Sequence, residues 1–284
     1  MCQSDIKTNK NHKLKLKKSL GQNFLTDKTI IEKIITTADI DEQTSIIEIG
    51  PGVGALTEIL LKTSENVVAI EIDQRLIPIL KEKFSSKYLT IINEDFLKIS
   101  PKELKKHLKN NKIKVVANLP YYITTPIITK ILLTMPYVDE VLIMVQKEVA
   151  ERITASAKTK KYNSLSVFCQ TISDVKYEFT VSKEVFKPVP KVDSAIISFK
   201  RKEFPIEIDE FDPFVRNCFK QKRKTLLNNL TVNYPYSKLD ILEFLKVSGY
   251  KENIRSEEIE VEDFLELFKK FNIYFCRENQ PPVV

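Results

Sequence analysis

Glycine is scarce in this chain of 284 residues: there are five, and three of them, Gly50, Gly52 and Gly54, fall within one stretch of five residues. A flexible linker scatters glycine among serine and other polar residues, so that stretch is not a linker. Histidine is limited to His12 and His107, and the four cysteines, Cys2, Cys169, Cys218 and Cys276, form no C-x-x-C pair. This argues against a structural zinc site, and the cysteines read as buried small side chains in a reducing compartment. No run approaches the ~18–20 apolar residues that span a bilayer. The N-terminus has lysines but no apolar h-region after them, so no signal peptide is expected. The chain is expected to be cytoplasmic, with no membrane partner and no metal.

What is present describes an ordinary globular protein, 43% hydrophobic and 29% charged, long enough for a large domain plus a small one. A net charge of +7 and a pI of 9.0 favour a polyanionic partner, with the placement of the charge mattering more than its sum.

The three glycines lie in IIEIGPGVGALT, residues 46 to 57, between an apolar run and a helix-compatible segment. Strand, tight turn and helix start make a nucleotide cradle, because glycine reaches φ > 0 and lets main chain approach a ligand closely. Gly50, Gly52 and Ala55 satisfy the G-x-G-x-x-A dinucleotide fingerprint, and Glu48, Gly50, Gly52 and Gly54 equally satisfy the E-x-G-x-G-x-G pattern of S-adenosylmethionine methyltransferases. A purely structural turn of another α/β protein fits as well. An acidic residue after the next strand, Glu71, serves ribose hydroxyls in either nucleotide reading.

The chain in order predicts a basic arm over 1–18 and then a helix capped by Thr26 or Asp27, with Ile30, Ile31, Ile34 and Ile35 at helical spacing. Strands are predicted at 46–49, 67–71, 89–92, 113–117 and 138–145, with helices at 55–63, 74–84, 101–110 and 125–134; Pro78 kinks the second or delays its start. This alternation implies a doubly wound α/β sheet with ligands at the C-terminal strand edge. Polar clusters follow three successive strands there: Glu71 with Asp73, then Glu94, Asp95 and Phe96, then Asn118, Leu119, Pro120, Tyr121 and Tyr122. Taken singly, each is explained by a cap or a turn; together, downstream of a glycine cradle, they outline one pocket. The prolines of VFKPVPKVDSAIISF impose an extended path before a strand at 194–199. After Lys200 short amphipathic helices take over, giving domains at 1–18 (arm), 19–205 (Rossmann-like) and 206–284 (small, all-α).

An adenine amino nitrogen is a poor nucleophile because its lone pair is delocalised into the ring. In an N-L-P-Y turn, the Asn118 side-chain carbonyl and the backbone carbonyl of Leu119 or Pro120 can accept both amine hydrogens and localise that pair. Tyr121 can stack on the base, and Phe186 is the candidate to cover its other face.

At these residues the chain resembles the small-subunit ribosomal RNA adenine dimethyltransferases of the KsgA (RsmA) type. The likeness runs from Lys17 to about Phe271 on KKSLGQNFL, EIGPGVGALT, AIEID, NEDF, NLPYYITTPI, VFKPVPKVDSAI and FKQKRKTLLNNL, in that order. Val189 stands where several such enzymes read proline. The resemblance implies S-adenosylmethionine as donor and two adjacent adenines near the 3′ end of 16S rRNA, in the small ribosomal subunit, as acceptors. It assigns donor contacts to Asn23, Leu25, Gly50, Gly52, Glu71 (ribose), Asp95 (adenine amine) and Asn118. The dinucleotide reading leaves the NLPYY, NEDF and GQNFL blocks unexplained and is rejected. Basic segments at the arm, 158–161 and 216–224 are expected to meet RNA phosphates, Lys222 and Arg223 first, on a monomeric protein. Two alternatives stand beside this: a large-subunit adenine methyltransferase of the antibiotic-resistance type, against which the VFKPVPKVDSAI block and the NLPY spelling argue, and an idle ribosome-assembly factor, which would have lost donor-site residues that are present here.

Overall fold

The protein is described by a computed structural model covering residues 6–7, 13–14, 23–203 and 208–277. The basic arm expected over 1–18, apart from the paired dipeptides Ile6–Lys7 and Lys13–Leu14, and the boundary expected at 205/206 lie outside the described residues. The chain divides into two compact units, one taking residues up to Ala150 with Lys176–Arg201, the other Glu151–Val175 with the chain from Lys202 onward.

The first unit is built on seven strands: β1 (Thr44–Ile49), β2 (Asn66–Ile70), β3 (Leu89–Ile92), β4 (Lys112–Asn118), β5 (Glu140–Gln146), β6 (Ser173–Val181) and β7 (Ser194–Arg201), in the order β3-β2-β1-β4-β5-β7-β6. Neighbours from β3 to β5 are parallel, and β7 runs antiparallel to β5. All residues of β1 and β2 are buried, which is why they read as continuous apolar runs rather than alternating ones. Strand order reverses between β1 and β4, so the crevice of a doubly wound sheet opens at their C-terminal ends. The glycine turn follows β1 and the N-L-P-Y turn follows β4, so both lie at that crevice.

The helices of this unit are α1 (Lys28–Ala38), α2 (Thr57–Thr63), α3 (Ile77–Lys83), α4 (Pro101–Lys105), α5 (Thr124–Thr134) and the start of α6 (Lys147–Ile153). Asp27 caps α1 by accepting the Ile30 N–H, and Ile31, Ile34 and Ile35 face the core. Pro78 sits in the first turn of α3, so this helix begins late rather than kinking. α4 ends five residues before the expected 110, as its last residues tighten into turns.

Two cations on strands close helices from below. Lys114 of β4, 3% exposed, donates to the Ala38 and Asp39 carbonyls at 2.8 and 2.9 Å and pairs with Glu140 at 2.7 Å. Arg201, the last residue of β7, donates to the carbonyls of Ile131, Leu132 and Met135 at the end of α5 and to that of Val138 in the connection to β5. The final carbonyls of a helix have no partner within it, and here long basic side chains supply one.

In the second unit, α7 (Ser164–Ile172) precedes α8 (Ile208–Cys218), α9 (Leu226–Asn233), α10 (Lys238–Val247) and α11 (Val261–Arg277). Ala155, Tyr162 and Val167 share one core with Phe211, Phe214, Phe244, Phe264 and Phe271. Residues 151–175, expected within the larger domain, thus pack with the helical one; their apolar positions give no hint of which core they join. Cys169 and Cys218 are buried, and burial pushes both thiols well up, so they are inert packing groups. Among the described residues no helix is long and apolar enough to cross a membrane.

Candidate active site

The pocket at the end of β1 and β4 is lined by the glycine turn, the N-terminal segment from Asn23 to Leu25, Glu71 and the turn from Asn118 to Ile123. Gly50, Gly52 and Gly54 have φ of +70°, +61° and +80°. At Gly52 the demand is also steric: a Cβ there would lie 2.6 Å from the Phe24 ring. The N-terminal segment is therefore laid directly on bare main chain.

Glu71, 4% exposed, directly follows β2 and braces this turn. One carboxylate oxygen accepts the Gly52 N–H at 3.0 Å and the other the Asp73 N–H at 2.8 Å. Burial raises its pKa above the ordinary carboxylate value against the pull of these donors. Asn93, which no sequence argument singled out beyond its place in the NEDF block, donates from Nδ2 to the Glu71 carbonyl at 2.7 Å and ties β3's end to β2's. Asp95 is half-buried, accepts the Leu97 N–H at 3.0 Å and begins the turn after β3; it is not among the residues that line the pocket.

Beneath the turn, Glu48 is 1% exposed and accepts the Thr57 hydroxyl at 2.6 Å. Burial pushes its carboxyl up to about 8. A pKa raised by folding contributes stability that is complete below the ordinary carboxylate value and is lost as pH rises through about 8. Chemical denaturation of the wild type should therefore show stability falling with pH across this window by up to about 1.4 kcal/mol per unit relative to Glu48→Gln. Parallel curves for the two proteins would show that Glu48 is charged in the fold.

At the end of β4 the Asn118 Nδ2 donates to the Asn23 carbonyl at 3.2 Å. This leaves Oδ1 without a hydrogen bond among the described residues, on a side chain that lines the pocket. The two backbone carbonyls left open by the sequence are now distinguished. That of Pro120 accepts both the Ile123 N–H and the Thr124 hydroxyl, each at 3.2 Å, whereas that of Leu119 accepts none among the described residues. Tyr121 bonds through its hydroxyl to Ser194 of β7 at 2.8 Å, which fixes the ring at the pocket wall, and burial raises its phenol. Ser194 lies in the VFKPVPKVDSAI block. Neighbouring Asp193 holds β7's entry by accepting the Lys183 N–H and, through its carbonyl, the Lys147 N–H, both at 3.0 Å.

Phe186 does not reach a substrate. It is fully buried, its dipeptide Phe186–Lys187 pairs antiparallel with Phe24–Leu25, and its ring packs among Leu25, Ile31 and Ile196. It anchors the N-terminal segment instead, helped by Val185, whose carbonyl accepts the Thr26 N–H and hydroxyl at 3.0 Å. The exposed aromatic of this unit's pocket is Tyr122, 55% accessible.

In the helical unit, the basic segment 216–224 leaves α8 at Cys218, and Lys222, Arg223 and Lys224 stand exposed on the following turn. Arg216 pairs with Asp212 at 2.8 Å and Lys220 donates to Asn233 at 2.6 Å, so among the described residues the unengaged cations of this segment are those of the turn. In the loop expected at 158–161, Lys158 and Lys161 pair with Glu260 and Glu151 at 3.2 and 2.5 Å, which leaves Lys160 without an ion pair among the described residues. Among the described residues no group of three or more His, Cys, Asp or Glu is placed to hold a metal.

Residues 13–272 match the family described as ribosomal RNA adenine dimethylase. The chain is 44% identical over 264 residues to a ribosomal RNA small subunit methyltransferase A of Ligilactobacillus salivarius, covering 89% of each. To that of Mycoplasma capricolum it is 42% identical over 259 residues, covering 90% of this chain and 97% of the relative. Among solved structures, a dimethyladenosine transferase from Plasmodium falciparum superposes with a TM-score of 0.77 at 29% identity, over 89% of this chain and 98% of that one. The 23S rRNA methyltransferase ErmE does so with 0.65 at 28% identity, over 88% and 99%.

Proposed function

Because the chain belongs to the ribosomal RNA adenine dimethylase family, we propose that it dimethylates the exocyclic amino groups of two adjacent adenosines near the 3′ end of 16S rRNA, in the small ribosomal subunit, with S-adenosylmethionine as donor. The observation that carries this is the pairing at the end of β4: Asn118 Oδ1 and the Leu119 carbonyl, two acceptors without protein partners among the described residues, on one turn. They accept the two amine hydrogens and hold the nitrogen lone pair out of the ring. Tyr121 supplies a flat face already locked by Ser194. After a first transfer one hydrogen remains on the nitrogen, and one acceptor still suffices to orient it.

The donor supplies an electrophilic methyl on a sulfonium. The residues present fit it: a glycine turn whose main chain lines the hollow, a buried carboxylate at Glu71 for ribose hydroxyls, and Asn23, Leu25 and Gly50 around the same hollow. Asp95, on the next strand end, is assigned to the adenine amine. The chain's part is to hold donor and base on opposite sides of Asn118 and to exclude water with Phe24 and Leu25.

Tritiated methyl transfer to unmethylated small subunits, with unmethylated large subunits in parallel, tests this reading. Dimethyladenosine from small subunits alone is expected after nucleoside digestion. Label in large subunits would favour the chemistry named for ErmE, and its absence from both, despite donor binding, would favour an idle assembly factor.

Lys222 and Arg223 are assigned to RNA phosphates. Charge reversal at both should flatten the dependence of log affinity on log salt by about 0.7–0.9 per lost contact. An unaltered slope would return them to the solvated surface.

A further inference from the structure

Lys130 sits in the apolar middle of α5, in IITKILL, where a lysine ordinarily extends to water. Here it is half-buried, and its Nζ donates to three main-chain carbonyls: Phe96 at 2.8 Å, Leu97 at 2.9 Å and Ile99 at 2.6 Å. An ammonium has three hydrogens, so all are spent on one turn of backbone. The Phe96 ring lies 5.4 Å away. The same turn is closed from within by Asp95, whose carbonyl accepts the Lys98 and Ile99 N–H groups at 2.8 and 3.3 Å and whose Oδ1 accepts that of Leu97. Three carbonyls converging on one point repel each other unless a cation or donors stand between them. Lys130 is that cation, and its proximity to Asp95 and Glu94 offsets part of the cost of removing it from water.

The other end of α5 is the active-site turn: Tyr121–Ile123 forms a 3-10 turn that runs straight into Thr124. One helix thus begins at the acceptor-binding turn and, through Lys130, holds the loop after β3.

We infer that Lys130 is a positioning residue for the methyl donor: it sets the main chain from Phe96 to Ile99 and so where the Asp95 carboxylate stands to take the adenine amine. The inference rests on the assignment of Asp95 given above. It accounts for a residue whose engagement with three carbonyls makes it unavailable to RNA.

Calorimetry with S-adenosylhomocysteine and S-inosylhomocysteine tests it, since hypoxanthine carries a carbonyl where adenine carries the amine. Wild type should prefer the adenine ligand by about tenfold or more, as expected for one hydrogen bond to a charged group. K130M should lose most of that preference by binding the adenine ligand more weakly while the hypoxanthine ligand is unchanged, and K130R should restore part of it. Preference retained in a folded K130M overturns the role of Lys130 alone. Equal loss for both ligands overturns it too, in favour of a merely structural part. Wild type that does not distinguish the ligands overturns the Asp95 assignment and the inference with it. Circular dichroism melting confirms the fold of each variant, and K130Q, which retains two donors on a shorter arm, takes the place of K130M if that chain does not fold.

Discussion

Asn118→Ala is expected to lower methyl transfer by roughly three orders of magnitude while leaving donor affinity within about twofold of wild type. The reason is local. Alanine removes the Oδ1 acceptor but leaves the glycine turn, Glu71 and the Leu119 carbonyl in place, so the donor hollow persists and the amine loses one of two partners. Single-turnover transfer to small subunits, with calorimetric donor binding alongside, reads both quantities. Asn118→Asp sharpens the test. It keeps an acceptor but loses the donor to the Asn23 carbonyl, so it should fall between alanine and wild type. Near-normal turnover by the alanine variant would remove Asn118 from the chemistry.

Glu71→Ala should weaken donor binding by ~1–3 kcal/mol, the worth of hydrogen bonds between ribose hydroxyls and a charged acceptor. Part of that loss passes through the protein itself, because the Gly52 and Asp73 N–H groups lose their acceptor. Glu71→Gln separates the contributions: it retains an oxygen acceptor without charge. The pH dependence has a definite sign. The ribose hydroxyls assigned to Glu71 would bind its carboxylate, whose pKa burial has raised, so donor affinity should fall as pH drops through that raised value. The fall should begin above the ordinary carboxylate range and vanish in Glu71→Gln. Calorimetry across pH that shows unchanged affinity in Glu71→Ala would refute the assignment.

Much of the candidate site was legible because most of its residues stand at strand ends, and strands announce themselves as apolar runs. Glu71 and Asn118 needed only that rule, and the sheet order confirmed that β2, β1 and β4 end side by side. Phe186 was misread for a physical reason: an aromatic beside two prolines looks accessible, and nothing nearby in the chain reveals that its partner is Leu25, at the far end of the unit's sequence. Lys114 and Lys130 were invisible for the opposite reason. Lysine in an amphipathic pattern reads as solvent-facing, and only the folded chain shows carbonyls waiting at its tip. The choice between the Leu119 and Pro120 carbonyls likewise needed the Thr124 hydroxyl to be seen occupying one of them.

The place of β7 has a consequence for how the chain is made. It is synthesised after β6 yet inserts between β5 and β6, and its last residue, Arg201, closes the helix that starts at the active-site turn. Chains emerge N-terminus first, so until that strand leaves the exit tunnel the apolar β5, E-V-L-I-M-V-Q, is an open edge and the end of α5 lacks the donors of Arg201. Translation that stops anywhere short of Arg201 should therefore yield a sticky fragment to be cleared by chaperones and proteases, not a shorter enzyme with reduced activity.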